Sequence, residues 1–122
     1  MTPAELAAAS ASDLVNTYAQ AAQAHAAATE SGRHRVASRA HDDLGHIFTE
    51  LRRRGPAGLA ALAVRLDDPE PAVRCWAATH ALSFAPERGV AVLEALADGA
   101  PSPLRLGAEM TLQEWRAGRL RF

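Results

Sequence analysis

Residues Asp67–Leu82, DDPEPAVRCWAATHAL, decide how the chain is read. Asp67 and Asp68 can accept hydrogen bonds from the free amides that open a helix, while Pro69 and Pro71 stop a preceding helix and are tolerated in a first turn. The spacing therefore predicts a helix from about Pro71. On a wheel of about 100° per residue, Val73, Cys75, Ala77, Ala78, Ala81, Leu82 and Phe84 cover roughly 200°. A helix with so wide an apolar arc touches neighbours on two sides. The remaining arc, expected nearest to water, carries Thr79, His80 and Ser83, with the aromatic Trp76 among them.

The pattern returns downstream. Val73-Arg74, Ala77 and Ala81 are matched by Leu104-Arg105, Ala108 and Leu112, and each copy follows a turn holding an acid and prolines (Asp68 to Pro71, then Asp98 to Pro103). Two copies at one offset suggest a short solenoid of stacked helices. A weaker echo falls at Val36, Ala40 and Leu44. In such stacks, Arg74 and Arg105 are expected to reach turn acids and free carbonyls of the adjacent unit, a structural role.

Working outward, Thr2-Pro3 opens a short helix, and Ser10 or Ser12 with Asp13 opens a longer one with Leu14, Tyr18, Ala21, Ala22 and His25 at helical spacing. It ends near Ser31-Gly32. The next helix, about Arg33 to Arg54, has the cleanest periodicity: Val36, Ala40, Leu44, Ile47, Phe48 and Leu51 form one core-facing stripe, with Arg35, Arg39, Asp42, His46 and Arg53 opposite. Gly55-Pro56 terminates it. Helices over about 56–66, 86–98 and 103–116 complete an all-α reading of about six helices in a single domain spanning residues 1–122, with residues 1–11 and 118–122 as candidate flexible ends.

Composition narrows the function classes. The chain has 29 alanines, six aromatics and no lysine, so all 13 basic residues are arginine; its net charge is −1. A general nucleic-acid binder usually has a basic excess, which this chain lacks. The charge is nonetheless blocked along the chain: residues 1–32 carry −3, 33–54 carry +3, 55–100 carry −3 and 101–122 carry +2. One cysteine excludes an internal disulfide and fits a reducing compartment. With no export signal and no stretch approaching the roughly 20 apolar residues that span a bilayer, the expected location is the cytoplasm.

Several residue groups could form sites, and for each ordinary packing is the competing explanation. Asp42, His46 and Glu50 are successive i,i+4 neighbours, but His34 and His41 point about 120° or more away from His46, so a solvated, salt-bridged face is preferred to a metal site. Trp76 and His80, one turn apart, could grip a peptide side chain or stack on a base. Cys75 lies on the buried arc, where a nucleophile is not expected. The Arg33/Arg35/Arg39 and Arg52–Arg54 groups could form a surface for an acidic partner or for phosphates. There is no glycine-rich phosphate loop, nucleophile elbow or paired-cysteine motif, so no catalytic, cofactor or metal residue is assigned and a non-enzymatic protein is expected.

The run DDPEPAVRCWAATHAL, followed by APERGVAVLEALAD, resembles HEAT-like repeats. With HIFTELRRRGPAGLAAL upstream and GAEMTLQEWRAG at the end, roughly residues 12–118 resemble the bacterial family called domain of unknown function 2019. The resemblance implies an all-α, HEAT-like fold (an α-α superhelix) and carries no catalytic residue or cofactor across. The functional expectation is a protein-protein interaction module, for instance of an immunity or antitoxin type, with Trp76, His80, Arg35, Arg39 and Arg53 as contact candidates. A homodimer through an unpaired helix face is a further expectation. The alternative is a nucleic-acid-binding protein using the Arg33–Arg54 face.

Overall fold

A computed structural model describes residues 1–122. Its regular elements are all helical: α1 (Pro3–Ala8), α2 (Ala11–Ser31), α3 (His34–Arg53), α4 (Pro56–Ala63), a 3-10 turn (Val64–Asp67), α5 (Pro71–Ala81), α6 (Pro86–Ala97) and α7 (Pro103–Arg116). The all-α class is as expected, with seven helices. None of them is long and apolar enough to cross a membrane. The chain divides into two compact units, Met1–Arg65 and Leu66–Phe122.

In the first unit, α2 and α3 form a helical hairpin. Ser10 caps α2 by accepting the Asp13 amide, and Gly32 ends it in the left-handed conformation (φ 73°) that a residue without Cβ adopts freely. There the Arg33 amide reaches back to the Ala28 carbonyl at 2.9 Å, closing the helix end. α2 buries Leu14, Val15, Tyr18 and Ala22, and α3 buries Ala40, Leu44, Ile47, Phe48 and Leu51. The expected stripe of α3 loses one member, since Val36 is 47% exposed. It lies in the first turn of α3, beside the hairpin bend, where residues 29–31 of α2 are themselves exposed and nothing is left to cover it.

The far end of α3 holds α1. Arg54 donates through Nη2 to the carbonyls of Leu6 (2.9 Å) and Ala9 (2.7 Å), while its Nε donates to Glu50 at 2.9 Å. Arg53 also donates to Glu50, at 2.6 and 3.2 Å. A guanidinium thus satisfies carbonyls at the end of a six-residue helix that has few bonds of its own. Glu50, expected on the solvated face, is instead buried, and the hydrogen bonds from Arg53 and then Arg54 hold its carboxyl below the ordinary carboxylate value.

Two glycines set how the helix pairs close. A Cβ on Gly58 of α4 would fall 2.1 Å from the Leu51 carbonyl oxygen of α3, and a Cβ on Gly89 of α6 would fall 2.8 Å from the Ala78 carbonyl oxygen of α5. Backbone atoms cannot yield at such distances, so only glycine lets the second helix of each pair lie this close. Gly58 and Gly89 are 31 residues apart, as are Leu51 and Leu82, and Leu62 and Leu93, all four leucines being buried. This is the same offset that relates Val73 to Leu104. The repeat register therefore runs from the end of α3 through α4, α5 and α6 into α7, and the echo at Val36, Ala40 and Leu44 is out of step with it.

The second unit packs α5, α6 and α7 around Val73, Ala77, Ala81, Leu93, Ala108 and Leu112, all buried. The paired arginines do not reach a neighbouring unit. Arg74 Nη1 donates to the Asp68 carbonyl (2.8 Å) and Arg105 Nη1 to the Gly99 carbonyl (3.3 Å), each six residues back in its own turn. A side chain at the first turn of a helix can fold back only as far as the turn that precedes it, so the repeated arginine closes that turn locally. The aspartates also differ from their expected capping role: α5 begins at Glu70 without a side-chain cap, and Asp68 Oδ1 instead accepts the Glu70 amide at 2.9 Å. Where α5 presents Ala78 and Leu82 to α6, the equivalent positions of α7 are Glu109 and Gln113, both exposed.

Gly58→Ala should lower the stability by about 1–3 kcal/mol through overpacking. Gly45→Ala, in the middle of α3 where an added Cβ meets nothing within 4 Å, should be neutral or raise it by up to about 1 kcal/mol. Urea unfolding of the two variants checks the pair, and equal losses would remove the close-approach argument. Because the folded Glu50 carboxyl titrates below 4.5, its contribution is complete above that pH and is lost as pH falls through the lowered value. Acid unfolding of Glu50→Gln should therefore show a flatter dependence on pH below about 4.5 than the parent chain does.

Candidate functional site

The outer side of α3 carries a continuous, shallow groove. Its largest part, an open depression of about 630 Å³, is lined by His34, Arg35, Ser38, Arg39, Asp42, Asp43 and His46, with Met1 at one end. A second hollow of about 300 Å³ shares His34, Ser38 and Asp42 and adds His41 together with His25 from α2. A third, about 100 Å³ and more enclosed, continues past Asp43 and His46 to Leu6 and Thr17. All three belong to the first unit. The apolar stripe of α3 is spent on α2, which leaves the polar residues of the helix to form this outer wall.

The charges in the groove are unevenly committed. Arg35 and Arg39, four residues apart and so on one face about 6 Å from each other, are exposed and make no ion pair. Asp42 lies 3.7 Å from His41 Nδ1. The His25 and His41 rings are 6.5 Å apart between centroids, and burial holds the His25 imidazole below its ordinary value, with the charge of His41 adding to the effect. Arg53 is exposed, but its guanidinium is taken up by Glu50. Of the three candidate arginines, Arg35 and Arg39 thus share the groove, whereas Arg53 belongs to the brace at the end of α3.

Trp76 and His80 belong to α5, in the unit Leu66–Phe122. Trp76 is half-buried, with its ring 5.8 Å from that of His80. His80, expected towards water, is only 7% exposed, and the Phe122 ring stands 6.4 Å away in an edge-on contact. The tail supplies the cover: Arg119 forms a two-pronged bond to Glu114, and the chain beyond it places Phe122 against α5. A wheel drawn for a single helix cannot contain that cover. Beside them, burial pushes the Cys75 thiol up to about 11, which leaves little thiolate at neutral pH.

No group of three or more His, Cys, Asp or Glu side chains is arranged to hold a metal ion. Glu50 is turned into the brace, so the spacing of Asp42, His46 and Glu50 does not produce a common site. The residue that sequence reasoning overlooked is His25, placed on α2 merely as part of a helical pattern. The available signal was the turn at Gly32: folding a hairpin there sets residues with equal separation from the bend opposite each other, and this pairs His25 with His41.

With this geometry in hand, comparison with known proteins gives a consistent picture. The family described as Domain of unknown function (DUF2019) matches residues 12–115. A crystal structure of the protein RPA1889 from Rhodopseudomonas palustris CGA009 superposes with a TM-score of 0.87 at 25% identity, covering 96% of this chain and 97% of that one. Among curated proteins nothing matches.

Trp76→Ala should unfold at lower denaturant, by about 2 kcal/mol, as expected for a large aromatic that is partly enclosed. A urea midpoint within error of the parent would instead show that the ring adds nothing to stability.

Proposed function

We propose that the chain, which belongs to the DUF2019 family, is a non-catalytic protein-binding module that uses the α3 groove as its contact surface. The observation carrying this reading is the pair Arg35 and Arg39, exposed side by side in a long open groove and committed to no partner within the chain. Two such guanidiniums are ready to form charge-assisted bonds to a carboxylate surface, without first breaking an internal ion pair. The shallow, open form of the groove suits an extended or helical protein segment better than an enclosed small substrate.

The 31-residue register supports describing the fold as HEAT-like, since α3–α4 and α5–α6 repeat the same glycine approach and the same buried leucines. Helix pairs of this kind serve as scaffolds for surfaces, and a partner-neutralising role of the immunity or antitoxin type fits that use. A nucleic-acid role is less well supported, because the chain has a net charge of −1 and lacks the basic excess that binding to a phosphate backbone draws on. Trp76 and His80, with their rings packed in the second unit, support stability more directly than contact.

Capture from native extract with the tagged chain tests the reading. The parent should retain a stoichiometric protein at about 0.15 M salt, and Arg35→Glu/Arg39→Glu should retain at least about ten-fold less, while its circular dichroism and unfolding midpoint stay as in the parent. Recovery of nucleic acid alone, or the same protein on both baits, would contradict it.

A further inference from the structure

Four of the five histidines of the chain are gathered on the α3 groove, and the fifth, His80, is buried in the other unit. His34 and His46 stand at the two ends of the main depression, with His41 and His25 in the adjoining hollow. When the imidazoles are neutral, Arg35 and Arg39 are balanced by Asp42 and Asp43, so the side-chain charge of the groove is close to zero. Histidine is the side chain that gains charge between about pH 8 and pH 5, and the exposed His34, His41 and His46 of α3 stand on a surface with two acids, while burial disfavours the charged form of His25. Of the elements packed against α3, α2 carries the acids Asp13 and Glu30, neither of which lines the groove, Glu5 of α1 is bonded to Thr2, and α4 has no charged side chain.

We propose that the α3 groove receives an acidic protein segment and that this binding strengthens as the pH falls from neutral towards about 5.8, through the histidines that line it. The inference rests on the groove being the contact surface, and it adds the chemistry of the partner and the condition that favours it. Arg35 and Arg39 provide the constant attraction, Asp42 and Asp43 oppose it near neutrality, and the imidazoles overturn that opposition in mild acid. Glutamates of a bound segment remain largely ionised at about pH 5.8, so the attraction gained by the groove is not lost on the other side.

The test uses the full chain and a fluorescent, glutamate-rich peptide of about twelve residues, followed by anisotropy at about pH 7.8 and about pH 5.8 in the same ionic strength. The parent should bind at least about ten-fold more tightly at the lower pH. Arg35→Ala/Arg39→Ala should weaken binding at both, and His34→Gln/His41→Gln/His46→Gln should reduce the pH effect to about two-fold or less. These changes lie on the exposed wall of α3, and circular dichroism verifies that each variant folds. Equal affinity at the two pH values would overturn the proposal, as would a full pH effect in the histidine variant, which would trace it to the overall charge of the chain. Displacement of the peptide by an equally charged DNA duplex at lower concentration would overturn it in favour of nucleic acid. If the peptide fails to bind at either pH while protein capture still depends on Arg35 and Arg39, the acidic-segment inference falls and the groove reading stands.

Discussion

The closeness of backbone to backbone at Gly58 and Gly89 is the constraint from which the rest of this structure follows. A helix laid against a carbonyl oxygen of its neighbour has no room for a Cβ at the crossing, and buried leucines accompany it in each pair, Leu51 and Leu62 in α3–α4, Leu82 and Leu93 beside α5–α6. An alanine-rich chain suits this construction, since small side chains leave helices free to approach wherever a glycine permits contact. The brace of Arg54 and Glu50 at the end of α3 answers a different need. Where α1 is too short to hold itself, a buried ionic pair supplies the donors its last carbonyls lack.

Local rules carried most of the fold. Proline at the start of α4, α5, α6 and α7, glycine at the end of α2 and of α3, and the apolar stripe of α3 placed these helices to within a few residues. What they did not contain was which face another segment would cover. Val36 fits the stripe and yet lies open, because the opposite helix has already reached its turn, while His80 falls on the polar arc and yet is enclosed, because Phe122 folds back onto it. The repeat shows the same limit. Matching apolar positions found the relation between α5 and α7, but its extension to α3 and α4 rests on two glycines, which a pattern of hydrophobic residues passes over.

The candidate site was legible as a list of residues more than as a place. Arg35 and Arg39 were visible from their spacing, and the structure leaves them uncommitted; Arg53 had the same spacing, but its role is fixed by the burial of Glu50 below it. The histidines read as dispersed along the sequence, and around one helix they are indeed dispersed. They become a group only when α2 folds back at Gly32 and sets His25 beside His41 in the hollow that adjoins the main depression.

One substitution in the repeat has a consequence for how such a chain could lengthen. At the positions where α5 offers Ala78 and Leu82 to α6, α7 carries Glu109 and Gln113. A duplicated copy of α6 joined after α7 would have to bury a carboxylate and an amide at the crossing where its glycine needs bare backbone and small apolar neighbours. The close pairing that α5 makes with α6 is thereby not open to α7, whose matching positions carry a carboxylate and an amide.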